Sequence, residues 1–122
     1  MARVSGLILT LLLIVGATGL LSAPAMAMGT NESSAFERGE QIFKSNCAAC
    51  HMGGGNVIRA NRTLKINDLN DHVEAYSNSP LEALEHEIED GLNAMPSYAD
   101  KLSEEEIIAV ATYVEQRAEL GW

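Results

Sequence analysis

Cys47-Ala48-Ala49-Cys50-His51 is the stretch from which the rest of this 122-residue chain can be read. A C-x-x-C-H run is the signature of covalent haem attachment. Two thiols separated by two residues in a helical turn can add to the two vinyl groups of one haem. A histidine directly after the second cysteine then lies beneath the iron as its proximal ligand. These are the only cysteines in the sequence, so the run uses all of them. The competing readings are a thioredoxin-like dithiol, a structural disulfide or half of a zinc site. Zinc normally takes four protein ligands, and no second C-x-x-C or H-x-x-x-H occurs. A thioredoxin-like motif belongs beside a βαβ pattern, whereas both flanks here read as helix.

Upstream of this run the chain opens Met1-Ala2-Arg3 and continues into an apolar block, Leu7 to Val15. Ala25 and Ala27 supply small residues at the −3 and −1 positions of a cleavage site. This is the anatomy of a secretory signal peptide, expected to be removed after Ala27. An uncleaved anchor is the alternative, but glycine, serine and threonine dilute the stretch from Val4 to Leu21. Residues 1–27 are therefore expected as a cleaved signal peptide and 28–122 as one domain. That domain carries 7 basic and 17 acidic residues, a net charge of −10 before haem propionates are counted. Such acidity argues against nucleic acid and anionic membrane surfaces as partners. At 95 residues the domain is small for a self-sufficient core. A buried porphyrin would supply part of the missing apolar interior.

The remaining sequence reads as all-α, about four helices around one covalently attached haem. A polar lead, residues 28–32, precedes a first helix capped by Ser33 or Ser34 and reaching Asn46. Phe36, Gly39 and Phe43 form its stripe, with Ile42 on the flank. Gly39 is there either for close approach of another helix or as an ordinary tolerated glycine. Gly53, Gly54 and Gly55 let backbone lie against the haem ring. Residues 57–66 are irregular and hold the one basic cluster, Arg59, Arg62 and Lys65, either a solvated loop, propionate partners or a docking patch. A short second helix starts at Asn67 or Asp68 with Leu69, Val73 and Tyr76 inward and His72 beside that stripe, read as a surface or satisfied histidine. Ser79-Pro80 starts a third helix to Asp90, burying Leu81, Leu84 and Ile88. Ser103-Glu104-Glu105-Glu106 is a capping box opening the last helix, whose inner face is Ile107, Val110, Ala111, Val114 and Ala118.

A soft thioether can hold low-spin haem iron opposite a histidine. Met52 adjoins His51 and cannot cross to the far face. Met95 lies 44 residues beyond His51, in a loop stiffened by Pro96. It is the expected second axial ligand, and His86 is the rival, which would make the haem bis-histidine. One haem c per chain, bonded to Cys47 and Cys50, with His51 and Met95 on the iron, leaves no open coordination position. That chemistry is electron transfer and not enzymatic turnover. If Met95 were labile, a haem-based ligand sensor or enzyme would be the alternative.

Four segments in order make the sequence specific: Ser45 to Asn56 (SNCAACHMGGGN), Arg62-Thr63-Leu64, Asn93-Ala94-Met95-Pro96 and Lys101 to Ile107 (KLSEEEI), closed by Trp122. Together they resemble the cytochrome c6 family, class I c-type cytochromes of cyanobacteria and algal plastids, over essentially all of residues 28–122. The resemblance implies a helical cytochrome c fold with His51/Met95 ligation. It also implies soluble one-electron transfer from the cytochrome b6f complex to photosystem I in the thylakoid lumen (or periplasm), with a respiratory terminal oxidase as an alternative acceptor. No stable membrane anchoring is expected once the signal is removed. Two positions depart from the family. Glu87 stands where a glutamine is common near the haem, and Leu92 stands where many relatives have lysine. Lys101 matches a basic position that relatives use near the photosystem-docking face.

Overall fold

The computed structural model describes residues 29–122; the expected signal peptide lies outside the described residues. Five α-helices follow one another: α1 (Gly29–Asn46), α2 (Ala48–His51), α3 (Ile66–His72), α4 (Pro80–Asp90) and α5 (Glu104–Leu120). A single 3₁₀ turn, Met52–Gly54, follows α2. The described residues contain no strand. Four of the helices are those expected; the additional one is the single turn carrying the cysteine motif. Cys47, a turn residue at φ −114° and ψ −32°, separates it from α1.

The frame is α1 crossing α5. A Cβ on Gly39 would drive into the Ala109 carbonyl oxygen and come within 2.8 Å of Tyr113 Cβ. The glycine is thus the point of closest helix approach, and the roughly 1 kcal/mol it costs in helix propensity is offset by that packing. Phe36 and Phe43 then stack against Tyr113 at centroid distances of 5.1 and 5.2 Å, and Phe43 meets Trp122 at 5.4 Å. Such tilted aromatic pairs contribute about 0.5–1.5 kcal/mol each beyond their buried area.

Helix α5 begins as expected. Ser103 Oγ accepts from the Glu106 amide at 3.3 Å, and the Ser103 amide donates to the Glu106 carboxylate at 3.0 Å. Its buried face is Ile107, Val110, Ala111, Val114 and Ala118, joined by Tyr113. It stops at Gly121 in the left-handed region, where the Gly121 amide returns to the Arg117 carbonyl. Helix α4 presents Ala83, Leu84 and Ile88 to the same interior. Leu81 is only half-buried, and Ser79 occupies the cap position without a side-chain cap bond.

Two boundaries differ from the sequence reading. Helix α1 starts at Gly29, so residues 29–32 are helical and neither Ser33 nor Ser34 is the cap. Helix α3 starts at Ile66, with Lys65 before it in extended conformation. Asp68, expected as a possible cap, instead reaches back and accepts from the Thr63 amide and hydroxyl. Leu69 and Tyr76 are buried as expected, and Val73 packs against them partly exposed. No described helix is long and apolar enough to cross a membrane.

Candidate functional site

One cavity gathers the chemistry. Cys47, Cys50, His51 and Met95 all line it, with apolar walls from Phe43, Leu69, Leu84, Ile88, Val110 and Val114. All five helices therefore contribute to its lining. The motif turn is built by the backbone: the Cys47 amide donates to Phe43, and the amides of Cys50 and His51 both donate to the Cys47 carbonyl at 3.1 and 2.9 Å. This tight turn brings both sulfurs and the imidazole to one wall.

His51 is oriented by its second nitrogen. Nδ1 lies 3.0 Å from the Gly55 carbonyl oxygen. A carbonyl can only accept, so Nδ1 carries the proton and Nε2 keeps its lone pair for a metal. This is a second shell of the kind that makes a histidine a fixed ligand. The thiols point the same way. Burial, with Cys50 alongside, pushes the Cys47 thiol up to about 11. The activated cysteine of a thioredoxin-type pair needs the opposite shift, so Cys47 is not poised for dithiol exchange. The donor set and apolar walls fit a haem attached through both sulfurs.

Met95 faces the cavity from the loop after α4 and packs against the core. Its amide donates to the Leu92 carbonyl at 3.0 Å, and the Tyr98 amide donates to Ile88 at 3.0 Å. Ser97 Oγ donates to the Glu89 carbonyl, tying the loop back to α4. Tyr98 makes a longer connection, missed in the sequence reading. Its hydroxyl donates to the Asn46 carbonyl at 2.9 Å, joining the methionine loop to the start of the cysteine motif. Burial raises its hydroxyl pKa, with Cys47 and Cys50 adding to the effect.

His86, the rival ligand, does not line the cavity. Its side chain is 70% exposed and its Nδ1 stands 3.3 Å from the Asp90 carboxylate. Met52 is also outside, 76% exposed. The three glycines after the motif do not meet the cavity either. Gly54 lies against the indole of Trp122, whose Nε1 donates to the Leu64 carbonyl at 2.6 Å. Of the basic cluster, Arg59 and Arg62 line the cavity and Lys65 does not. Asn56 organises this segment: its Oδ1 accepts from the amides of Ile58 and Arg59, and its Nδ2 donates to the Arg62 carbonyl. Glu87 also lines the cavity, and burial raises its carboxyl pKa; Asp90 and Glu74 push the same way and His86 opposes.

His72, expected as a surface or satisfied histidine, is neither. It lines the cavity, and its Nδ1 is buried without a hydrogen-bond partner. The signal was present, since His72 and Val73 stand three and four residues after the buried Leu69, on one helical face.

Comparison with known proteins agrees with this geometry. Residues 34–114 match the family model described as cytochrome c oxidase, cbb3-type, subunit III. The cytochrome c6 of Limnospira maxima is 44% identical over 84 residues, covering 69% of this chain and 94% of that protein. The crystal structure of cytochrome c6 from the diatom Phaeodactylum tricornutum superposes with a TM-score of 0.67 at 42% identity, covering 71% of this chain and 98% of that one. Cytochrome c6C from Synechococcus sp. PCC 7002 superposes with a TM-score of 0.63 at 39% identity, covering 70% and 99%.

Proposed function

Since the chain belongs to the cytochrome c6 family, we propose that it carries single electrons from the cytochrome b6f complex to photosystem I, with Cys47 and Cys50 bonding the haem and His51 and Met95 ligating its iron. It is a haem c electron carrier, and it exchanges electrons with partner proteins. The observation that supports the ligand assignment is the convergence of both cysteines, an oriented His51 and Met95 on one apolar cavity. Residues 1–27 are removed on export, and the domain 28–122 works as a soluble protein in the thylakoid lumen or periplasm. Its role is that of a carrier and not of an enzyme.

Haem c, when bound, supplies the Fe(III)/Fe(II) couple, whose potential a His/Met ligand pair raises. The chain does the rest. The Gly55 carbonyl holds His51 in the tautomer that ligates through Nε2. The Met95 loop, pinned to α4 and to Asn46 through Tyr98, holds the thioether that would ligate the iron and so close it to oxygen and peroxide. Phe43, Leu69, Leu84, Ile88, Val110 and Val114 offer apolar walls to a porphyrin. Exposed Met52, Val57, Ile58 and Leu92 supply an apolar contact surface, and Ile58 and Leu92 also border the cavity. A transient redox interface is small, and an acidic protein approaches it under electrostatic steering that salt screens.

Laser-flash kinetics of the purified holoprotein with photosystem I particles test the assignment. Rapid, saturable reduction of the photo-oxidised reaction centre that weakens with ionic strength is expected. Slow, unsaturable reduction together with fast oxidation by a terminal oxidase would move the chain to a respiratory acceptor.

A further inference from the structure

A haem carries two carboxylates, and carboxylates entering a cavity need cations or donors to meet them. Apart from the ligand His51, the cavity's groups able to bear positive charge are Arg59, Arg62 and His72, all from one segment of the chain. Arg59 is exposed and Arg62 half-buried. His72 differs from both: its Nδ1 is buried and makes no hydrogen bond. Asp68, one turn earlier on α3, does not satisfy it, because the Asp68 carboxylate is engaged by the Thr63 amide and hydroxyl. A buried, unpartnered imidazole nitrogen in the wall of a cavity is a site waiting for an acceptor.

We propose that His72 is a redox-linked proton site: its Nδ1–H donates to a haem carboxylate, and its imidazole gains a proton when the iron is reduced. The inference rests on the haem-carrier reading above. When one electron arrives from the donor protein, the iron centre loses one unit of positive charge. The neutral imidazole then takes one proton from water and becomes imidazolium. On oxidation the electron goes to the acceptor and the proton returns to water.

Arg59, Arg62, Asp68 and Glu87 share the cavity wall with His72, whereas Lys65, Asp71 and Glu74 are charged neighbours in the chain that do not line it. Asp68 and His72 attract one another, and Arg59 and Arg62 stand in the same wall. A unit charge change at about 10 Å with an effective dielectric near 20 changes proton affinity on the order of tenfold.

The test is the midpoint potential of holoprotein against pH, for wild type, His72→Gln and Glu87→Gln, together with NMR titration of the His72 ring in both oxidation states. Wild type should fall across the imidazole range by a total near 59 mV, the equivalent of tenfold for one electron. His72→Gln, which keeps a donor without a titration, should be flat there, and Glu87→Gln should keep the slope. The His72 ring should titrate at higher pH in the ferrous protein. A slope that survives in His72→Gln, or identical ring titrations in the two states, overturns the proposal; the NMR measurement decides even if the variant loads haem poorly. Protein without covalent haem would overturn the carrier reading itself, visibly, as a missing Soret band.

Discussion

Replacing Gly91 with alanine probes how the methionine loop is held. Gly91 ends α4 at φ 73°, ψ 162°, a region that is essentially glycine's alone and costs other residues about 1–3 kcal/mol. An added Cβ would stand 2.5 Å from the Met95 carbonyl oxygen, 2.7 Å from the Pro96 carbonyl carbon and 2.7 Å from the Ser97 nitrogen. All three are backbone atoms of the loop, so no side-chain rotation relieves the overlap. Overpacking of this kind costs about 1–3 kcal/mol more. Together these oppose the native loop by about 2–6 kcal/mol, and the lower figure already shifts a two-state balance by about 30-fold. Gly53→Ala is the matched control: Gly53 also has positive φ, at 60°, but nothing lies within 4 Å of its Cβ position. The assay is the weak long-wavelength ferric charge-transfer band that reports an iron–thioether bond, followed with temperature and with added imidazole. Gly91→Ala should lose the band at lower temperature and bind imidazole at least about tenfold more tightly, since 1.4 kcal/mol already gives that factor. Gly53→Ala should stay near wild type in both. If the two variants behave alike, the loop is not held through Gly91 and the argument fails.

Glu87→Gln should raise the midpoint at neutral pH, because an ionised carboxylate at the cavity favours ferric iron; at about 10 Å and an effective dielectric near 20 the effect is roughly 1–2 kcal/mol, tens of millivolts. An unchanged midpoint would place Glu87 outside the field of the metal. Asp68 is held below the usual carboxylate range by its bonds from Thr63. Its stabilising contribution is therefore complete above the ordinary carboxylate range and lost as pH falls through the depressed value. Urea unfolding should accordingly show a shallower acid loss in Asp68→Asn, and equal slopes would contradict this. Ser103→Ala removes the side-chain half of the α5 capping box and should cost about 0.5–2 kcal/mol in the same unfolding measurement, with no change in the visible spectrum.

Local chemistry made some of this protein legible and long-range contact hid the rest. Pro80 and the Ser103–Glu106 box mark their helices because both signals are confined to a single turn. The cysteine motif is equally local. The start of α1 is not, since residues 29–34 are polar and offer no periodic stripe from which a boundary could be read. The bonds that close the site are remote in sequence: Tyr98 to Asn46 spans 52 residues and Trp122 to Leu64 spans 58. No pattern around Tyr98 announces a partner on α1. The glycine run shows the same limit. Its permissive backbone was legible, but that Gly54 would meet Trp122 rather than a cofactor depended on where the last residue comes to rest. The two histidines divide similarly. His86 stands among acids on the outer face of α4, whereas His72 follows Leu69 by three residues, and only the docking of α3 turns that face into a cavity wall.

The most direct test of the account is the optical spectrum of exported holoprotein in both oxidation states, for wild type and Met95→Ala. Wild type should show a sharp reduced α-band of c-type haem and the ferric thioether band, and should not bind carbon monoxide when reduced. Met95→Ala should keep the covalent haem, lose the ferric band and bind carbon monoxide readily. A wild-type spectrum without that band, or one unchanged in Met95→Ala, would contradict axial ligation by Met95 and with it the closed electron-carrier site.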